Sequence, residues 1–173
     1  MAQVKWFERE FNFNSNQNIF PSIIERLAGT PVRLEEKFKF MPEDILSLRV
    51  DNTWTIKQNV GHLTDLEPLW QGRLEDIKKG AVVLRPTDLQ NTKTTLAGHD
   101  DQPLEILLQN FRKIREQTVK LLEVLDEETI LKSALHPRLK TPMRTLDLFL
   151  FVADHDDHHL ARMTELQKIL NFK

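Results

Sequence analysis

The sequence predicts an all-α fold, a four-helix bundle with crossover connections. Three observations predict it. Four long stretches repeat apolar residues at steps of three and four, the period of a helix with one buried face. No segment shows a convincing strand alternation. Turn-rich segments separate the stretches, and the second is long enough to favour a crossover over a simple up-and-down bundle. At 173 residues the chain fits one domain, residues 1–173, large enough for a proper core.

Taken in order, residues 1–14 carry Trp6, Phe7, Phe11 and Phe13 in an otherwise polar lead. Such a segment is expected to lie over a hydrophobic groove, on its own subunit or on a neighbour. The first helix is expected to begin near residues 16–18, with Ile19, Ile23, Ile24 and Leu27 on one side. Gly29-Thr30-Pro31 interrupts it: either Thr30 caps a continuation over 31–40, or the helix bends there. Pro42 and Glu43 open a short helical turn. The second long helix is expected to follow Asn52 and Thr53 and to run to about Lys79, ending at Gly80. Its buried series is Ile56, Val60, Leu63, Leu66 or Glu67, Trp70, Leu74 and Ile77, with His62 beside it.

Residues 81–102 hold no sustained period and read as a crossover rich in turn formers. The third helix spans about 104–125. Residues 126–142 form the next connection, and Thr141-Pro142 starts the last helix, whose apolar positions are Leu148, Val152, Met163, Leu166 and Leu170.

Composition excludes several classes of function. Hydrophobic content of 40% with 29% charged residues is that of an ordinary soluble globular protein. A net charge of −2, with both signs interleaved, lacks the basic footprint of a nucleic-acid binder. No run is long enough for a membrane span, and the N-terminus lacks the apolar core of a signal peptide, so a cytoplasmic location and no membrane partner are expected. The absence of cysteine removes disulfides, zinc–thiolate sites and a cysteine nucleophile together.

The chemistry is expected in the last helix. His155 and His159 stand where its periodicity calls for core residues. Two imidazoles four residues apart stack on one face and reach a single metal ion, as in a metalloprotease helix. The plainer alternative, two hydrogen-bonded packing histidines, leaves two polar rings on an apolar stripe at a cost of about 1–3 kcal/mol each unless partnered. A catalytic ion takes three protein ligands and leaves one position open. His62 is the best third candidate, on a long helix near its buried face. His99 and His136 fall in connections and are expected at the surface. His158 points to a flank and is a candidate to support the ligands from outside, with Asp65 or Glu67 orienting His62. Asp156 follows His155 much as the glutamate follows in HExxH. Arg144 and Arg162 are candidate anion anchors. Paired Glu-x-x-His motifs of di-iron bundles are absent, as is a G-x-S-x-G elbow.

The phrase Trp54-Thr55-Ile56-Lys57-Gln58-Asn59-Val60-Gly61-His62-Leu63, followed by His155-x-x-x-His159 in the final helix, resembles the DinB-like (YfiT-like) superfamily over nearly the whole chain. The resemblance implies a four-helix bundle holding a divalent metal ion, zinc or nickel, on three histidines at the positions of His62, His155 and His159. It also implies a small-molecule substrate, a homodimer, and one of two activities: thiol S-transfer with a low-molecular-weight thiol cosubstrate, or metal-dependent hydrolysis. A non-catalytic metal-binding or stress-response module is the alternative. Leu160-Ala161-Arg162 departs from the Arg-Gly-Gln that follows the last ligand in many members.

Overall fold

The computed structural model describes residues 3–15 and 18–170. Four long helices form the bundle: α1 (Phe20–Phe38), α3 (Ile56–Lys78), α5 (Leu104–Glu123) and α7 (Thr145–Ile169). Short helices α2 (Glu43–Leu46), α4 (Thr92–Leu96) and α6 (Glu127–Leu131) lie in the connections. The long helices pack in the ring α1–α5–α3–α7. The first and third connections therefore make the diagonal steps, whereas the long second connection joins neighbours. No described helix is long and apolar enough to cross a membrane.

The helix ends follow local chemistry. Residues 16 and 17, where the first helix start was expected, lie outside the described residues; Asn18 Oδ1 accepts from Phe20 N at 3.2 Å, and α1 begins there. Helix α3 starts at Ile56, following Asn52–Thr53 as expected, with Thr55 as its N-cap. Asp51 and Asn52 have φ of 47° and 55°, which no helix contains, and Thr55 with Gln58 forms a reciprocal capping box. Gly80, at φ 73°, closes the C-terminus as expected.

Helix α1 runs through Gly29-Thr30-Pro31 without a break. A proline in a helix leaves the carbonyl four residues earlier without its donor. Here that carbonyl is Leu27 O, and the Arg115 guanidinium donates to it at 3.4 Å.

Two expectations are corrected. Strands β1 (Ser133–Leu135) and β2 (Pro142–Arg144) pair antiparallel, with Ala134 opposite Met143, inside what reads as a plain connection. Three-residue strands are too short to show an alternation. Helix α7 consequently starts at Thr145, not at Thr141-Pro142, and Arg144 with Asp147 closes its first turn.

The core has two apolar clusters. One contains Leu27, Trp70, Leu74, Leu122, Phe149 and Val152; the other contains Leu34, Val60, Leu63, Phe111, Met163 and Leu166. Between them every long helix contributes buried polar side chains: Thr30, His62 and Glu67, Arg115 and Thr118, and His155, Asp156 and His159. Of the pair left open in the second helix, Glu67 is the buried residue and Leu66 is only half-buried. The bundle thus has a polar layer across its middle.

Candidate metal centre

His62 on α3 and His155 and His159 on α7 meet in that layer. All three are buried, and one ring nitrogen from each lies within 4.8 Å of the others. The Nε2 atoms of His155 and His159 are 3.2 Å apart. Ring centroids are 4.5 to 5.3 Å apart. A tetrahedral ion with nitrogens about 2.0–2.1 Å away holds them about 3.3 Å apart, so the donor set and the His155–His159 spacing fit a divalent ion.

Hydrogen bonds behind the rings decide which nitrogen faces the centre. Asn59 Nδ2 donates to the carbonyls of Thr55 and Trp54, which fixes its amide. Its Oδ1 must then accept from His159 Nδ1, 2.8 Å away, and His159 keeps an Nε2 lone pair for the centre. Thr94 Oγ1 donates to Asp65 Oδ2 at 2.9 Å and so has only lone pairs left for His62 Nδ1 at 3.0 Å. His62 is therefore also an Nδ1–H tautomer. His155 Nδ1 is buried with no partner among the described residues.

Burial, the largest influence on each ring, keeps the trio neutral. It pushes His62 down to about 4, with His99 adding to the effect and Asp65 opposing it. His155 and His159 are held well below the ordinary histidine value by burial and by neighbouring imidazoles. Neutral imidazole is the form that binds a metal.

The residue that orients His62 is Asp65, through Thr94. Burial alone would raise the Asp65 carboxyl, but hydrogen bonds from His99 and Thr94 hold it below its ordinary value. His99 corrects the sequence reading: it is buried, and its Nε2 sits 2.9 Å from Asp65 Oδ2. Gly61 makes room for it, since a Cβ there would run into the His99 ring. The second connection, read as a periodless crossover, thus packs α4 and a turn at His99–Asp101 onto α3 and delivers Thr94 and His99.

Other candidates fall elsewhere. Asp156 faces away from the trio. It is bound by Arg115 Nη1 and Nη2 and accepts from Thr30 Oγ1 at 2.8 Å. Adjacent helix residues point about 100° apart, so an aspartate after a ligand need not share its site. Glu67 is likewise taken by Arg115, at 2.6 Å, and by Thr118. His158 lies on the flank as expected, with its ring 5.5 Å from those of Trp6 and His159. Arg144 is engaged by Asp147 and the carbonyl of Phe13, and Arg162 by Glu165 and Thr53. His136, expected at the surface, is buried against Phe151.

A cavity of about 500 Å³ opens beside the trio. The N-terminal segment forms part of its wall: Trp6 packs edge-on against Phe151 and His155, so the aromatic lead covers its own subunit. Trp54 and Trp70 also line the cavity.

A four-helix bundle with three convergent histidines beside an aromatic-walled cavity defines a class of histidine-centred helical proteins. The family model of the DinB superfamily matches residues 26–163, and the chain belongs to that superfamily. Among solved structures it is similar to YfiT from Bacillus subtilis, described as "a probable metal-dependent hydrolase with an unusual four-helix bundle topology". The TM-score is 0.81 at 22% identity, covering 96% of this chain and 95% of that one. A protein from Streptococcus pneumoniae gives a TM-score of 0.68 at 15% identity over 90% and 93% of the two chains. At these identities the likeness shows the fold. No curated protein matches the chain in sequence.

Proposed function

We propose that the protein is a metal-dependent enzyme that holds a divalent ion, zinc or nickel, on His62, His155 and His159. The reaction is thiol S-transfer or hydrolysis. One observation carries this reading: three buried, neutral imidazoles converge at the wall of a cavity large enough for a small molecule. When bound, such an ion lowers the pKa of a coordinated water or thiol and supplies a nucleophile near neutral pH. The chain's own residues do the positioning. Asn59 and the Asp65–Thr94 pair hold two ligand rings in the required tautomer, and the tryptophans give the cavity apolar walls. YfiT, described as a probable metal-dependent hydrolase, supports the hydrolytic branch. The cysteine-free sequence means that any thiol enters as a low-molecular-weight cosubstrate. A homodimer, implied by the family resemblance, is the proposed assembly; light scattering of the purified protein checks it.

The test is metal analysis followed by assay. Purified protein should retain one ion per chain, and His159→Ala should lose it while keeping its helical circular dichroism. The loaded protein should turn over either an ester or amide panel, or an electrophile in the presence of a thiol, and His159→Ala should turn over neither. Full metal occupancy with no activity on either panel would replace this reading with the non-catalytic module.

A further inference from the structure

At the end of the cavity remote from the trio, two guanidinium groups and an imidazole meet with no anion among the described residues; Arg73 donates only through Nε, to the Arg85 carbonyl at 3.1 Å. Arg73 and Arg138 both line the cavity, as does His136. Arg73 is only 1% exposed, and its Nη2 has no partner among the described residues. Arg138 Nη2 is likewise buried and unpartnered. Neither guanidinium has a carboxylate within ion-pair distance among the described residues. The acidic group that acts on Arg73, Asp76, is held by Arg85 through contacts of 2.7 and 2.9 Å.

His136 sharpens the conflict. Its Nδ1 accepts from the backbone N–H groups of Arg138 and Leu139, at 3.2 and 3.1 Å. A neutral imidazole that accepts on Nδ1 carries its proton on Nε2. That Nε2 lies 3.1 Å from Arg73 Nη1, which is also a donor. Burial and the two arginines push His136 down to about 4, so the ring is neutral and the conflict is between two N–H groups. An oxygen anion placed among Arg73, His136 and Arg138 would accept from all three.

We infer that this corner is an oxyanion subsite: the protein's small-molecule ligand carries a carboxylate or phosphate group that docks on Arg73, His136 and Arg138. The inference rests on the reading of the cavity as a substrate site and adds a substrate class to it. The route from the subsite to the trio is walled by rings. His136 packs 5.6 Å from Phe151, Phe151 lies 6.2 Å from Trp70, and Trp70 lies 5.9 Å from His155. Arg73 follows His62 by three helical turns, about 16 Å of rise. The ligand is therefore an anion with an apolar body, its charged head at Arg73 and its far end toward the histidines.

All three tryptophans line the cavity, so intrinsic fluorescence of the full chain reports binding there. The probes are 3-phenylpropionate, 2-phenylethyl phosphate and the neutral 3-phenylpropanamide, titrated into chelated and into zinc-loaded protein. At least one anionic probe should bind chelated protein about ten-fold or more tighter than the amide, and the tighter anion identifies the head group. Arg138→Gln, at a half-buried position, should weaken that probe at least about ten-fold with zinc content unchanged. Arg73→Lys should weaken it too, because one ammonium cannot replace the guanidinium fork. Equal binding of amide and anions, no binding of any probe, or anion binding that needs zinc and ignores Arg138→Gln would each overturn the subsite. Failure of the wild type itself to hold zinc, with anion binding intact, would overturn the metal reading and leave the subsite standing.

Discussion

The polar layer of the bundle has two halves, one residue apart on α7, and they are built on opposite rules. In the half around Arg115, every charge has its partner. Arg115 reaches Glu67, Asp156 and the Leu27 carbonyl, while Thr30 and Thr118 fill remaining positions on the carboxylates. Burial alone would depress the guanidinium, but the two carboxylates outweigh it and raise its pKa. In the half around His155, three neutral rings turn nitrogens toward one another, His62 and His159 with lone pairs, and His155 Nδ1 has no partner among the described residues. A buried polar cluster that satisfies itself is scaffold, whereas one whose lone pairs converge on each other is waiting for a ligand. Burial alone does not distinguish Asp156 from His155; partner accounting does.

The comparison is broken or sharpened by measurement. The largest effect is expected from Arg115→Ala, which strands two buried carboxylates and the Leu27 carbonyl: chemical denaturation should register a loss of about 3–5 kcal/mol. A loss under about 1 kcal/mol would mean that this half is not scaffold. Next comes zinc itself. At a hundred-fold excess over its dissociation constant, zinc should stabilise the wild type by about 2.7 kcal/mol and leave His159→Ala unmoved. Thr94→Val cuts the link between Asp65 and His62, and calorimetry should show zinc affinity down about 10–100-fold, with metal-free stability down about 1–3 kcal/mol because His62 Nδ1 loses its acceptor.

Acid should act on the histidine half in a direction that can be worked out. His62 titrates at about 4 in the folded chain against an ordinary value of 6.5, and His155 and His159 are also lowered. Between those values the unfolded chain binds more protons, so stability is complete above about pH 6.5 and is lost as pH falls toward 4. A melting temperature that stays flat across that window would contradict the burial of the trio. The smallest effect is expected from His155→Leu. Nδ1 has no partner among the described residues and only the 3.2 Å contact between Nε2 and His159 is given up, so metal-free protein should lose no more than about 1 kcal/mol while zinc binding disappears.

The helices and the convergence of the histidine trio were legible in sequence for a shared reason. Leu148, Val152, His155, His159, Met163 and Leu166 keep one period, so the periodicity that announces α7 also places its histidines. His62 stands beside the Val60–Leu63 series rather than in it, one helical turn from Asn59 and from Leu66. What escaped were residues whose position depends on how a connection folds back. Thr94, His99 and His136 lie in stretches without a sustained period, and nothing local says that His99 will nest on Gly61 or that His136 will be buried beside Arg73. Asp156 misled for the converse reason: a motif fixes spacing along the helix, but Arg115, 41 residues away, decides which carboxylates are already taken.

Pro31 has a consequence for how the molecule opens and closes. The backbone gap it leaves at Leu27 is filled from α5, so the second half of α1 lacks a complete hydrogen-bond ladder until α5 has docked. The two segments should therefore unfold as one cooperative unit. Amide hydrogen exchange should show residues 32–38 gaining and losing protection together with the middle of α5, rather than with the N-terminal half of their own helix.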